Sequence, residues 1–156
     1  MSIKSRVEDA MVLWNAGHKE GAWVLALIAA AATSRKRYPR PETEKDRDAF
    51  TKFIRDITMT LVYGKPASEK RPTVIFGDKP LADIIYKDMR NKLIHEGEIE
   101  GTVVLDECRL VDGEMTGTMR VGGNGKPHEF PDFWALHLLK AVRESPENRE
   151  LFEGDQ

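Results

Sequence analysis

Arginine, asparagine and histidine stand at positions 90, 91 and 95 of the run Arg90-Asn91-Lys92-Leu93-Ile94-His95. These side-chain types suit one kind of chemistry. Histidine titrates near neutrality, so it takes or gives a proton at working pH. Arginine is permanently charged, and its planar fork matches phosphate oxygens. Asparagine holds a hydroxyl or phosphate oxygen without adding charge. The set fits cleavage of a phosphodiester by the neighbouring ribose 2′-hydroxyl. That reaction needs a base, an acid and a cation against the pentavalent phosphorus, and it runs without a metal. One histidine per chain supplies one proton carrier; a two-fold pair of chains supplies both. On an ideal α-helix Asn91 and His95, four apart, lie one above the other. Arg90, five before His95, points about 140° away. Only its length, or its meeting the His95 of a second copy, closes that gap. By spacing alone the same residues equally suit a surface ion pair at Arg90 and a cation at a helix C-terminus at His95.

Other candidates are weaker. Arg35, Lys36, Arg37 and Arg40 crowd into six positions, and Lys65, Lys70 and Arg71 form a second basic group. Both read first as solvated loops; with Lys92, the residues Arg35, Lys36 and Arg37 are weak candidates for holding RNA. The net charge of −2 means that any polyanion must be met by such a local patch, not by the molecule as a whole. Cys108 is the single cysteine. It makes no internal disulfide or zinc site by itself, fits a reducing compartment, and has no paired histidine motif. His18 falls on an apolar stripe and reads as a core histidine. His137 reads as core or interface before catalyst, and His128 has no assigned role. Gly122, Gly123 and Gly125 follow a strand-like stretch without the Lys-Ser/Thr pair of a phosphate-cradling loop. No cofactor and no metal site is implied.

The elements that must position the motif are mostly helical. The chain's 156 residues suit one domain, and a hydrophobic content of 40% supports a core without staples. Val7, Met11, Trp14, Gly21, Leu25, Ile28 and Ala32 recur at helical spacing, so a long first helix is expected over about 3–37, bent or broken at Gly17. Its apolar run from Ala22 to Ala32 is too short for a bilayer, which needs roughly 20 residues. It has no signal-peptide pattern, and a cytoplasmic protein with no membrane attachment is expected. Pro39 and Pro41 end that element. A second helix is expected from a Thr43 N-cap to Gly64, with Phe50, Phe53, Ile54, Ile57 and Leu61 on its apolar face. A long connection follows, with a short strand at Thr73 to Phe76. The third helix, from an Asp78 N-cap to Gly97, buries Leu81, Ile84, Ile85, Met89 and Leu93 and carries the motif. Asp112-Gly113 between two Val/Thr/Met-rich runs predicts a hairpin over 102–111 and 114–121. Pro131 opens a last long helix to about 144, and Ser145-Pro146 starts a short tail helix.

The string Arg90-Asn91-Lys92-Leu93-Ile94-His95-Glu96-Gly97 resembles the signature of HEPN domains, named for higher eukaryotes and prokaryotes nucleotide-binding. That signature is an Arg, a polar residue commonly Asn, three further residues and a His near a helix end. The order of elements over about 5–96 and 131–145 is also similar. The resemblance implies a mainly α, up-and-down helical bundle, a single HEPN-like domain over 1–156, with the β-hairpin (about 99–125) inserted before the last long helix. It implies a homodimer joined through the motif helix, and a metal-independent endoribonuclease that leaves a 2′,3′-cyclic phosphate and a 5′-hydroxyl. On that basis His95 transfers the proton, Arg90 binds the scissile phosphate, and Asn91 positions the substrate. Such domains act in toxin–antitoxin, phage-defence or RNA-processing systems. Some HEPN toxins carry a Tyr two residues after the histidine, where an antitoxin modifies them; Gly97 stands there in this chain and argues against that partnership. Two other readings stay open: a non-catalytic module binding a nucleotide, RNA or a partner protein, and a structural protein whose motif closes a dimer.

Overall fold

The computed structural model describes residues 2–65, 75–76, 79–96, 103–120, 122 and 125–154, with backbone only at 75, 76, 79, 95 and 96. The architecture is mainly helical. Helix α1, Ile3–Asn15, is capped by Ser2, whose hydroxyl accepts from the Ser5 N–H at 3.1 Å. Gly17 then takes φ +85°, a left-handed conformation that ends the helix. Helix α2, Lys19–Arg37, starts afresh. Of the bend or break expected at Gly17 the structure has the break, and it resets the phase of the apolar stripe. Leu25 and Ile28 are only half-buried and Ala32 is exposed. The buried face is instead Ala22, Trp23, Ala26, Leu27, Ala29, Ala30, Thr33 and Ser34. Its small residues let α2 pack against α1, α3 and α6 together (the last at 134–144). His18, expected in the core, is exposed beside the break.

The second helix starts later than expected and divides. Thr43 is buried but is not the cap; α3 runs Asp46–Asp56, and Ile57 separates it from α4, Thr58–Tyr63. The expected face is nevertheless intact: Phe50, Phe53, Ile54, Ile57 and Leu61 are all buried. Gly64 ends α4 at φ +72°. Strands β1, Ile75–Phe76, and β2, Lys79–Pro80, pair antiparallel. Thr73, Asp78 and Gly97, expected at element ends, lie outside the described residues. A short α-helical turn α5, Leu81–Ile84, then runs directly into a π-helix, Ile85–Glu96. Leu81, Ile84, Ile85, Met89 and Leu93 are buried as expected and pin this helix to α2 and α3. Each fully buried side chain of this size contributes about 1.5–3 kcal/mol.

The strands that follow correct the single-hairpin expectation. Strand β3, Val103–Asp106, pairs in parallel with β6, His128–Pro131. Only β4, Arg109–Val111, and β5, Glu114–Thr116, form the hairpin. Its turn residues Asp112 and Gly113 both have positive φ, +52° and +80°, as the Asp-Gly signal requires. Pro131 closes β6 instead of opening a helix, and α6 begins three residues later as Trp134–Glu144. Val103 and Phe130 are buried, and Phe130 stacks on Trp134 at 5.2 Å, so the parallel pair belongs to the core. Trp23 Nε1 donates to the Asp132 carbonyl at 3.0 Å and ties α2 to this corner. A 3₁₀ tail, Pro146–Leu151, is anchored by buried Asn148, which donates to Thr33 Oγ1 and the Val142 carbonyl, both at 2.9 Å.

Candidate functional site

The π-helix changes the geometry that an α-helix would give the motif. In a π-helix the backbone bonds run from residue i to i+5, so residues five apart are joined across one turn. Arg90 and His95 therefore share one side of the helix backbone, where an α-helix would hold them about 140° apart. Asn91 lies next to the same line. The His95 side chain is outside the described residues. Long π-helical stretches are rare, and π-bulges occur frequently at functional sites.

Arg90 is half-buried against α3. Its guanidinium carbon lies 5.3 Å from the centre of the Tyr86 ring and 5.7 Å from that of Phe50. The two rings are themselves tilted together at 5.7 Å. Nη1 donates to Asn91 Oδ1 at 3.1 Å, which fixes the amide's orientation. Nε is buried and has no hydrogen-bond partner. The ion pairs among the described residues do not involve Arg90. Two ring faces and one amide thus hold a cation that no described carboxylate neutralises. Cation–π contacts contribute about 0.5–1 kcal/mol each at such sites. An unmet buried donor costs about 1–3 kcal/mol. The surface ion pair that spacing alone allowed for Arg90 is not formed among the described residues. Lys92 is half-buried on the same helix. Tyr86 and Phe50 were missed as site residues; the available signal was an aromatic one turn before the motif arginine.

The basic group at the end of α2 is arranged differently. Arg35 donates from Nε to Asp46 Oδ1 at 2.6 Å and from Nη2 to the Glu44 carbonyl at 2.8 Å, and it also reaches the Thr43 carbonyl. Lys36 donates to the Glu147 carbonyl at 2.8 Å and to Asn148 Oδ1 at 3.1 Å. Arg37 pairs with Glu147 at 2.8 Å and Asp56 at 3.3 Å, and Tyr38 also donates to Asp56. Arg40 lies 3.4 Å from Asp46. Burial opposes the Arg37 charge, but Glu147 and Asp56 outweigh it and raise its pKa. Hydrogen bonds from Arg35 and Arg37 pull Asp46 and Glu147 respectively below their usual range. These basic residues fasten the 40s loop and the tail to α2. Of the second group, Lys65 is exposed, and Lys70 and Arg71 are outside the described residues.

Backbone and ring contacts engage His128 and His137. His137 Nδ1 lies 2.7 Å from the Leu61 carbonyl, and its ring meets Phe133 edge-on; burial lowers its pKa. His128 Nδ1 accepts from the Gly122 N–H at 2.9 Å. A Cβ at Gly122 would sit 2.5 Å from the Lys126 carbonyl, so this glycine serves close backbone approach. Burial, and then Asp132, push the Cys108 thiol up, away from thiolate chemistry. Among the described residues, no group of three or more His, Cys, Asp or Glu is placed to hold a metal ion. No helix among them is long and apolar enough to cross a membrane.

Residues 2–153 match the family described as Rv1289. The chain belongs to the Rv1289 family. No curated protein and no solved structure matches it significantly. The match spans nearly the whole chain, so the motif helix, the parallel strand pair and the tail are all within the region that Rv1289 family membership covers.

Proposed function

We propose that this protein is a metal-independent endoribonuclease of HEPN type, working as a homodimer in the cytoplasm, in a toxin–antitoxin or phage-defence setting. The observation that carries the reading is Arg90: a half-buried guanidinium, held by Phe50, Tyr86 and Asn91, with a buried Nε lacking a partner and no described carboxylate. A permanent cation so arranged suits phosphate oxygens. The five-residue register of the π-helix supports the pairing of Arg90 with His95 on one site.

The steps balance without a metal. His95 accepts the proton of a ribose 2′-hydroxyl as its oxygen attacks phosphorus. Arg90 stabilises the charge gathering on the phosphoryl oxygens. The bond from phosphorus to the 5′-oxygen breaks, and His95 of the second copy protonates that leaving oxygen. The products are a 2′,3′-cyclic phosphate and a 5′-hydroxyl. Asn91, with its amide oxygen held by Arg90, directs its NH₂ group at the substrate.

The test is cleavage of single-stranded RNA in EDTA by wild type, His95→Ala and Arg90→Ala, with end-group analysis of the products. Loss of the proton carrier is expected to slow cleavage roughly 10²–10⁴-fold. Undiminished cleavage by His95→Ala would remove His95 from the chemistry. The second reading, a binding module without cleavage, draws on the net charge of −2, which gives little long-range pull on RNA. It expects RNA or nucleotide binding that is lost in Arg90→Ala, with no cleavage by any form.

A further inference from the structure

We propose that Arg47 is a second phosphate-binding group of this site, and that the RNA strand crosses the Tyr86 ring between Arg90 and Arg47. The inference rests on the ribonuclease reading and adds to it a minimum substrate: a strand with two consecutive phosphates.

Arg47 lies in the first turn of α3, and its guanidinium carbon stands 6.0 Å from the centre of the Tyr86 ring. Arg90 approaches the same ring from the π-helix at 5.3 Å. Two like charges from different elements are thus focused on one aromatic side chain. Neither forms an ion pair among the described residues. Asp46, the acid next to Arg47 in sequence, is engaged by Arg35 and Arg40 instead. Two guanidiniums without ion pairs at one ring repel each other, and phosphate charge placed at each relieves that repulsion. A single phosphate satisfies Arg90 alone. A strand carries its charges at regular short intervals, so the next phosphate meets Arg47. Arg47 also lines a depression on α3 of about 580 Å³. Its acids Glu42, Glu44, Asp48 and Asp83 stand among Lys45, Lys52 and Arg55, and none of them forms an ion pair with Arg47 among the described residues. Tyr86 gives the strand an apolar floor, and Arg47 is exposed and accessible from solvent.

The experiment compares a ribodinucleotide, which has one phosphodiester, with a ribotrinucleotide, which has two. Wild type, Arg47→Ala, Arg47→Lys and Arg90→Ala are assayed, with thermal melts to verify folding. Arg47→Ala is expected to raise KM for the trinucleotide about tenfold with little change in kcat, and to leave the dinucleotide unaffected. Its salt dependence of RNA binding is expected to flatten by about 0.7 in the log–log slope, the single-strand value for one contact. Arg47→Lys keeps the charge and is expected to keep the slope. Equal effects of Arg47→Ala on both substrates, or none on either, overturn the inference. Loss of activity in Arg90→Ala with Arg47→Ala silent overturns it while leaving the ribonuclease reading standing. A folded wild type that neither binds nor cleaves either substrate or a longer RNA overturns both.

Discussion

The end of α2 and the π-helix both present arginines, and they use them in opposite ways. At Arg35, Lys36, Arg37 and Arg40 the cations meet carboxylates or carbonyls of the 40s loop, α3 and the tail. At Arg90 the partners are two aromatic rings and an amide, and the charge is left over. The first group is the denser in sequence and looks the better polyanion patch. The second is a lone arginine on a helix that mostly packs. Ligand capacity follows from what remains unpaired after folding, and a count of basic residues does not report it.

Substitutions separate the two regions. The largest effect is expected from Arg90→Ala in the cleavage assay: a loss of at least about 100-fold, the range for removing one transition-state donor. Its melting temperature is expected to stay close to wild type, because removing the buried, unmet Nε offsets the loss of the two ring contacts and the Asn91 hydrogen bond. A large stability loss with unchanged cleavage would reverse the assignment. Arg37→Ala is the mirror experiment. It leaves Glu147 and Asp56 without their guanidinium, the side chains of Arg37, Asp56 and Glu147 being 20%, 13% and 23% exposed. A loss of about 1–2 kcal/mol is expected after allowing for solvent screening, read as a melting drop of about 2–8 °C. RNA cleavage should not change.

Acid sharpens the same contrast. Glu147 has a folded pKa below its ordinary value of 4.5 because Arg37 donates to it. Its contribution is therefore present above pH 4.5 and disappears as pH falls through the lowered folded value. The stability gap between wild type and Arg37→Ala should narrow in that window; a constant gap would show that Glu147 is not the source. The smallest effect is expected at His137. Burial lowers its pKa from 6.5, so the unfolded chain takes up a proton first as pH falls. Stability should decline as pH drops below 6.5, and His137→Gln should flatten that decline. Thermal melts from pH 7.5 downward would check it.

Local patterns that stay in phase were readable. The stripes Phe50-Phe53-Ile54-Ile57-Leu61 and Leu81-Ile84-Ile85-Met89-Leu93 are buried as read, and Asp112-Gly113 makes the turn its chemistry favours. Errors came where one residue shifts the phase or where partners are distant. Gly17 restarts the helix, so extrapolating the α1 stripe misplaced Leu25, Ile28 and Ala32. Ile57 interrupts α3 and α4 with no glycine or proline to announce it. The β3–β6 pair joins segments about 25 apart in parallel, which no hairpin signal encodes, and it draws Pro131 into a strand. The candidate site is legible as a list of residue types, not as a geometry. Nothing between Leu81 and Glu96 marks the change to π winding, and the approach of Arg47 to Tyr86 depends on how α3 packs beside the motif helix.

That winding sets the register of the motif. A π turn holds about one more residue than an α turn, so rewinding Ile85–Glu96 as ordinary helix changes the side that each residue faces. The stretch from Arg90 through His95 would keep its spelling yet lose its alignment, its two ends swinging to different sides of the rod. A tighter winding thus keeps every chemical group of the motif and changes only which of them share a side.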